Sequence, residues 1–460
     1  MKKGSIFSAV LLAAMLAGGV SACGGSGNTV TLWVGSESTD FYKDVATEFA
    51  KEYAEAGGKS YKIKVVGVDT GSTGGQMTSD ASACGDIVVT AHDNVGKIVE
   101  KGKALAFTDE ALINQIKADN SEEFQSVCQV AVGANKTKYF FASPFISQAL
   151  FLYYNKQYVT ADQAKTFEGL AQAGAQAGGK KGFTIVGTDG FNYSFNLLAR
   201  KASDNSTTLR LYEDFDVDNC YAQGDDEVAS LQWAKRVFNE STGGLLPSDS
   251  GWAVEVKNGN ALSVIGGAWH YKAFSAAIGE SNVGITKIPT YTLTSADVSG
   301  TTMSPNTVMQ GGSFADCKVM LINAAKGEKK LDFEQKLIAK LCSKDVQVQS
   351  FVKCNNVPAF NGALEALEEY NTAHPGEINA LSLELAKAQN QMFSYSIPQP
   401  FVTGKLNTRY YQKQAPDIYK NFIAGTIEDS ARQVLYKMQY IWQKGAEPEE
   451  IPGSLPADID

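Results

Sequence analysis

Gly85-Asp86-Ile87-Val88-Val89-Thr90-Ala91-His92-Asp93-Asn94-Val95-Gly96 is an apolar, β-branched run that opens into a polar loop. Residues 86–90 read as a buried strand. Upstream, Thr29-Val30-Thr31-Leu32-Trp33-Val34 has the same character, and 61–68 alternates as a strand should. Between them Phe41, Val45, Ala46, Phe49 and Ala50 recur at helical spacing over 40–53. Strand, helix, strand, helix in this order predicts a parallel sheet covered on both faces. Sheets of that kind bind ligands at the carboxyl ends of their strands, so the loops after Val34 and Thr90 are the places to look.

The α/β pattern continues to the far end of the chain. Residues 150–154 (Leu-Phe-Leu-Tyr-Tyr) read as a strand, followed by helical stretches at 162–176, 190–202 and 225–241. Strands follow at 262–265 and 283–288, another βα-type region begins at 319–322, and 409–444 reads as helices. No internal repeat is present.

The N-terminus carries Lys2 and Lys3, then an apolar or small-residue run from Ile6 to Ala22 weakened by Gly18 and Gly19. It is short for a bilayer span and reads as a signal peptide over 1–22. Val20-Ser21-Ala22-Cys23 resembles the lipobox of bacterial lipoproteins, in which the cysteine is diacylated and becomes the mature N-terminus. Two acyl chains suffice for stable anchoring, and the glycine-rich 23–29 would be a flexible tether. The expectation is a protein held on the extracytoplasmic face of the cell membrane at Cys23.

The remaining chain is too long for one compact core and predicts two lobes. With 44% hydrophobic and 20% charged residues it is ordinarily globular. Removing the leader takes the formal charge from −9 to about −11, and no basic cluster speaks for nucleic acid as a partner. Three histidines and no CxxC spacing give a metal site or other cofactor little support. Beyond Cys23 there are Cys84, Cys128, Cys220, Cys317, Cys342 and Cys354, an even set that suits disulfides in an exported protein but allows fifteen connectivities.

Several segments, in order, resemble extracellular solute-binding proteins of the maltose/maltodextrin type. The 85–96 stretch is similar to the strand and cleft loop of that family's first lobe. Ser143-Pro144 with 150–156 (ending Tyr154-Asn155-Lys156) resembles its first crossing between lobes. Lys257 to Ala261 with Gly266-Gly267-Ala268-Trp269 resembles the stretch carrying a cleft tryptophan. Gly284 to Pro289, Ile322-Asn323-Ala324-Ala325 and Ile397-Pro398-Gln399-Pro400 match later landmarks. The resemblance implies a two-lobed periplasmic-binding-protein-like fold with a three-crossing hinge near 143–149, 314–320 and 392–400. One lobe would take 30–145 plus 319–395 and the other 148–317 plus 400–455. It further implies an oligosaccharide ligand, the permease subunits of an ABC importer as partners, and lobe closure on the ligand.

Neutral sugars offer hydroxyls at their edges and C–H faces, which carboxylates, amides and flat aromatics can hold. On the resemblance, Glu37 and Ser38 form an acidic-polar pair after the first strand, and Asp93 is a sugar-binding carboxylate. Asn94 stands where the family has a basic residue, Thr90 where it has an aromatic, and Gln148 near a hinge glutamate. Asp189, Asn192 and Tyr193 lie in a segment that supplies polar and aromatic contacts. Trp269 is the strongest candidate, and of Tyr410 and Tyr411 one should face the cleft and the other pack. His92 is expected to be scaffold. Placement in one lobe makes Cys342–Cys354 and Cys84–Cys128 plausible disulfides, leaving Cys220 and Cys317. A secreted hydrolase would need two catalytic carboxylates, but no GxSxG, HExxH or Walker motif supports an enzyme. A non-sugar solute in the same fold, or an adhesin or sensor without a transporter, are further readings.

Overall fold

The computed structural model describes residues 27–203, 224–247, 251–399, 407–444 and 448–451. The leader, Cys23 and Cys220 lie outside them. Two sheets organise the chain. In the first, Thr29–Gly35 lies between Lys62–Val68 and Ile87–Ala91, parallel to both, with Leu32 opposite Ile87. The long strand Ser313–Asn323 then runs antiparallel to Ile87–Ala91, with Val319 opposite Thr90. The expected all-parallel sheet is therefore mixed, because this fourth strand returns from the other half of the molecule instead of through a local βαβ turn.

Every residue of Ile87–Ala91 is buried, whereas Thr29–Gly35 alternates half-buried and buried. That contrast is the one between a central strand covered on both faces and a less covered neighbour. The helix Thr39–Glu55 turns Tyr42, Ala46 and Ala50 inward at four-residue spacing. Tyr42 meets Phe145 edge to face, at 5.9 Å between ring centres.

The second sheet has the order Gly244–Leu245, Phe183–Ile185, Ser263–Gly266, Phe151–Asn155, Val283–Thr286, with Phe151–Asn155 antiparallel to both its neighbours. The chain passes from the first sheet to the second between Ala142–Gln148 and Phe151–Asn155. There the Leu150 N–H donates to Ser313 Oγ at 2.8 Å, tying this passage to the strand that leads back. Gln399 N–H donates to the Ala315 carbonyl at 2.9 Å, which brings a third segment to the same place.

Each sheet has its own apolar cluster, one around Leu32, Val88 and Leu321, the other around Leu152, Ile265 and Trp233. Buried side chains of 348–392, among them Phe351, Leu385 and Met392, are continuous with the second cluster.

One expected helix is different. Of 190–202 only Ser194–Leu197 is helical, and Arg200–Lys201 is a strand paired with Val308–Gln310. Phe195, Leu197 and Leu198 are all buried, so tertiary packing overrides any one-sided helical pattern there.

The disulfide expectation fails for both named pairs, since Cys84, Cys128, Cys342 and Cys354 are free thiols, as is Cys317. Cys342 caps one helix and Cys354 ends the next, Lys344–Cys354. At 1.5 Å per residue that helix holds them roughly 15 Å apart, beyond the reach of an S–S bond. Cys84 feels the charges of Asp80 and Lys326, whereas Cys128 is sunk beside Cys317 and Cys342.

Candidate ligand-binding cleft

The carboxyl ends of four strands meet one cavity of about 1330 Å³ between the two sheets. Thr29–Gly35 delivers residues 36–38, and Ile87–Ala91 delivers Asp93 and Asn94. Phe183–Ile185 leads to 186–192, and Ser263–Gly266 leads to the turn Ala268–His270. This volume exceeds the roughly 300–1,000 Å³ of ordinary small-ligand pockets, so it suits an extended ligand.

Of the ten ligand-binding candidates from the sequence, eight line this cavity: Glu37, Ser38, Asp93, Asn94, Gln148, Asn192, Trp269 and Tyr411. Tyr193 and Tyr410 do not. Tyr193 is fully buried and stacks on Tyr419 at 3.7 Å between ring centres. Tyr410 is buried edge to face against Trp442. Tyr410 and Tyr411 sit on the π-helical segment Asn407–Gln412, whose adjacent residues face different ways.

Trp269 is 45% exposed, in the turn after a fully buried strand. A large aromatic left open in a concave site is unlike a core tryptophan. Its indole folds back over Gly267, where a Cβ would lie 2.1 Å from the ring, so only glycine permits this pose. Phe191 flanks it at 6.1 Å. Behind it the Gly267 N–H donates to His270 Nδ1, and burial pulls the His270 pKa down to about 4, so the ring is neutral.

At the first-sheet floor, Asp93 is almost fully buried and accepts from Asn94 Nδ2 at 2.8 Å. Burial, then the Asp316 charge, push its pKa up to about 6 against the pull of His92, Lys97 and Lys318. Lys97 and Lys318 also line the cavity. Burial lowers the Lys97 pKa, and Asp93 opposes the shift. His92 lies beneath as scaffold, fully buried, with Nδ1 2.8 Å from Asp316 Oδ1 and Nε2 2.6 Å from the Gln399 carbonyl. Across the cleft, Asp189 accepts from the Asn192 backbone and side chain at 2.8–3.0 Å, and burial raises its pKa despite those bonds.

Sequence reasoning missed Lys97, Phe145, Lys272, Cys354, Asn355 and Asn356, which also line the cavity. Most come from helix ends and short turns without a local motif. Among the described residues no cluster of three His, Cys, Asp or Glu side chains converges as a metal site. The arrangement offers fixed polar groups, three lysines and several aromatic rings, of which Trp269 is the most open, a lining suited to a polar ligand with apolar faces.

A family profile described as bacterial extracellular solute-binding protein matches residues 48–375. No curated protein sequence matches the chain. Among solved structures it is similar to the maltodextrin-binding protein MalE1 of L. casei BL23, solved without ligand. The identity there is 19% and the TM-score 0.68, over 91% of this chain and 98% of that one. The GacH receptor of Streptomyces glaucescens, solved unliganded and with acarbose, gives 17%, 0.66, 91% and 98%. The maltose-binding protein MalE of Listeria monocytogenes, in complex with maltose, gives 19%, 0.62, 91% and 99%. At such identities the likeness establishes the two-lobed fold.

Proposed function

This chain belongs to the bacterial extracellular solute-binding proteins, a family that binds solutes and does not transform them, and from that membership we propose that it captures an oligosaccharide of maltodextrin type in its interlobe cleft. The single observation that carries the cargo is Trp269, an indole left open over a cavity whose lining includes the carboxylates, amides and hydroxyls of Glu37, Ser38, Asp93, Asn94, Gln148 and Asn192 beside three lysines and further aromatic rings. A sugar ring needs that combination, an apolar platform for its C–H face and ionised or amide acceptors for its hydroxyls. In this reading Glu37, Ser38, Asp93, Asn94, Gln148, Asn192 and Tyr411 make the polar and secondary contacts. The solved relatives named with maltodextrin, maltose and acarbose point the same way.

The loaded protein then delivers its sugar to the permease subunits of an ABC importer. Cys23 carries the lipid that keeps it at the outer face of the membrane. In this reading the lobes are 30–145 plus 319–395 and 148–317 plus 400–455, with buried side chains of 348–392 packing onto the second lobe's core, and they close about the three crossings. A thermal-shift screen against a carbohydrate panel tests the cargo, because a ligand that binds only the folded form raises its stability by mass action. Stabilisation by maltodextrins supports the reading. A panel without effect, with stabilisation by peptides or polyamines instead, overturns it.

A further inference from the structure

We propose that Asn356 is a ligand-contacting and specificity-determining residue, its carboxamide oxygen accepting a hydrogen bond from one ligand hydroxyl at the wall of the cleft formed with Ser38. The inference rests on the saccharide reading above and extends it to a position that no sequence motif marks.

Asn356 lines the cavity yet is only 9% exposed. Its Nδ2 donates to Ser38 Oγ at 3.0 Å and to Ser350 Oγ at 2.9 Å. An amide nitrogen has two hydrogens, so both are spent. The Tyr42 hydroxyl also approaches this amide, but both bonds above are made by Nδ2, so Oδ1 is the polar atom left for a ligand on a side chain bordering the cavity. The orientation is set from behind, because the Tyr42 hydroxyl lies 2.9 Å from Ser350 Oγ and both are buried.

The backbone is fixed as well. Asn355 ends the helix Lys344–Cys354 in the left-handed region at φ 61°, and its Oδ1 accepts from Ser382 Oγ at 2.6 Å. On the other side the Val357 carbonyl accepts from Ser147 N–H at 2.8 Å. An acceptor held on three sides before the ligand arrives has no ordering cost left to meet on binding, and it rejects ligands lacking the matching donor. Ser38 Oγ accepts from the amide, and its own proton is turned toward the Cys354 sulfur, which leaves the Asn356 oxygen as the acceptor at this wall.

The test is calorimetric titration of the parent, Asn356→Ala, Asn356→Asp and Ser350→Ala proteins. The probe is the maltodextrin the parent binds best, together with its monodeoxy analogues. Asn356→Ala should weaken binding about tenfold. Asn356→Asp keeps an acceptor, with the serine hydroxyls turning to donate, and should stay within about threefold of the parent. Ser350→Ala releases the amide from behind without touching the cavity and should cost about two- to fourfold. One monodeoxy analogue should bind the parent poorly yet bind Asn356→Ala as well as the full sugar does. Folded Asn356→Ala, or Ser350→Ala if the former does not fold, binding every analogue as the parent does would overturn the assignment while leaving the cargo intact. A parent that binds no saccharide would overturn the cargo and this assignment with it.

Discussion

His92 Nδ1 lies 2.8 Å from Asp316 Oδ1, a buried pair that joins the cleft loop of the first sheet to the strand returning from the second. The other ring nitrogen faces the Gln399 carbonyl at 2.6 Å, and the Cys317 N–H also lies 3.1 Å from Nδ1. Protonation lets Nδ1 donate to Asp316, whereas the neutral Nε2–H tautomer accepts the Cys317 N–H there and still donates to Gln399. Burial pulls the His92 pKa down, but the bond to Asp316, with the Asp316 and Asp93 charges, outweighs it and leaves the net value raised. Burial likewise raises Asp316, and Lys318 and His92 outweigh it, so that carboxyl is lowered. Stability from His92 is thus present in full below its ordinary value of 6.5 and is lost as pH rises through its raised value. Removing one partner of a buried pair strands the other. Asp316→Asn should therefore lower the unfolding free energy by about 3 kcal/mol in urea titrations at pH 6. The loss should shrink in His92→Gln/Asp316→Asn.

Asp93 gives ligand binding its own pH dependence. With its pKa raised to about 6, the carboxyl is largely protonated at pH 5 and ionised at pH 7.5. An ionised acceptor makes the stronger bond to a hydroxyl. Affinity for the sugar should rise at least about threefold between those values, and the dependence should flatten in Asp93→Asn. Isothermal titration at the two pH values reads both.

Much of this site was legible because it follows from strand order. The loops after 29–34 and after the 86–90 run were located by period-two and β-branched patterning alone, and they carry Glu37, Ser38, Asp93 and Asn94 to the cavity. What local patterning cannot report is approach through space. Asn356 bonds Ser38 across 318 residues, and Lys97 and Cys354 sit in helices with no motif of their own. Tyr193 was misplaced for the same reason. Its ring is taken by Tyr419, a partner more than two hundred residues away. The cysteines mislead because an even count says nothing of the helix that separates Cys342 from Cys354.

Thiol chemistry follows from that separation. Burial raises the pKa values of all five described thiols, but Cys354 is half-buried at the cleft whereas Cys84, Cys128, Cys317 and Cys342 are buried. Brief alkylation of native protein should label Cys354 ahead of those four, and bound sugar should slow it. Peptide mapping without reductant should find neither a Cys342–Cys354 nor a Cys84–Cys128 bond.

Glu334 stands apart from the cleft, fully buried, with neither carboxylate oxygen hydrogen-bonded among the described residues. Burial, then the Asp86 charge, push its pKa up to about 8 against Lys330. Its contribution to stability is full below the ordinary value of 4.5 and is lost as pH rises through about 8. Glu334→Gln should therefore stabilise the protein by roughly 1–3 kcal/mol at pH 8 and by little at pH 4.5, read from urea midpoints.

The claim that a sugar ring stacks on Trp269 in the cleft is tested most directly by titrating one maltodextrin into the parent and into Trp269→Ala by calorimetry. Stacking contributes roughly 0.5–1.5 kcal/mol beyond burial of the ring's apolar area, and together these amount to at least about a tenfold change in affinity. The account predicts that loss with an unchanged unfolding midpoint, since the indole is 45% exposed. A folded Trp269→Ala protein that binds the sugar as tightly as the parent would contradict it.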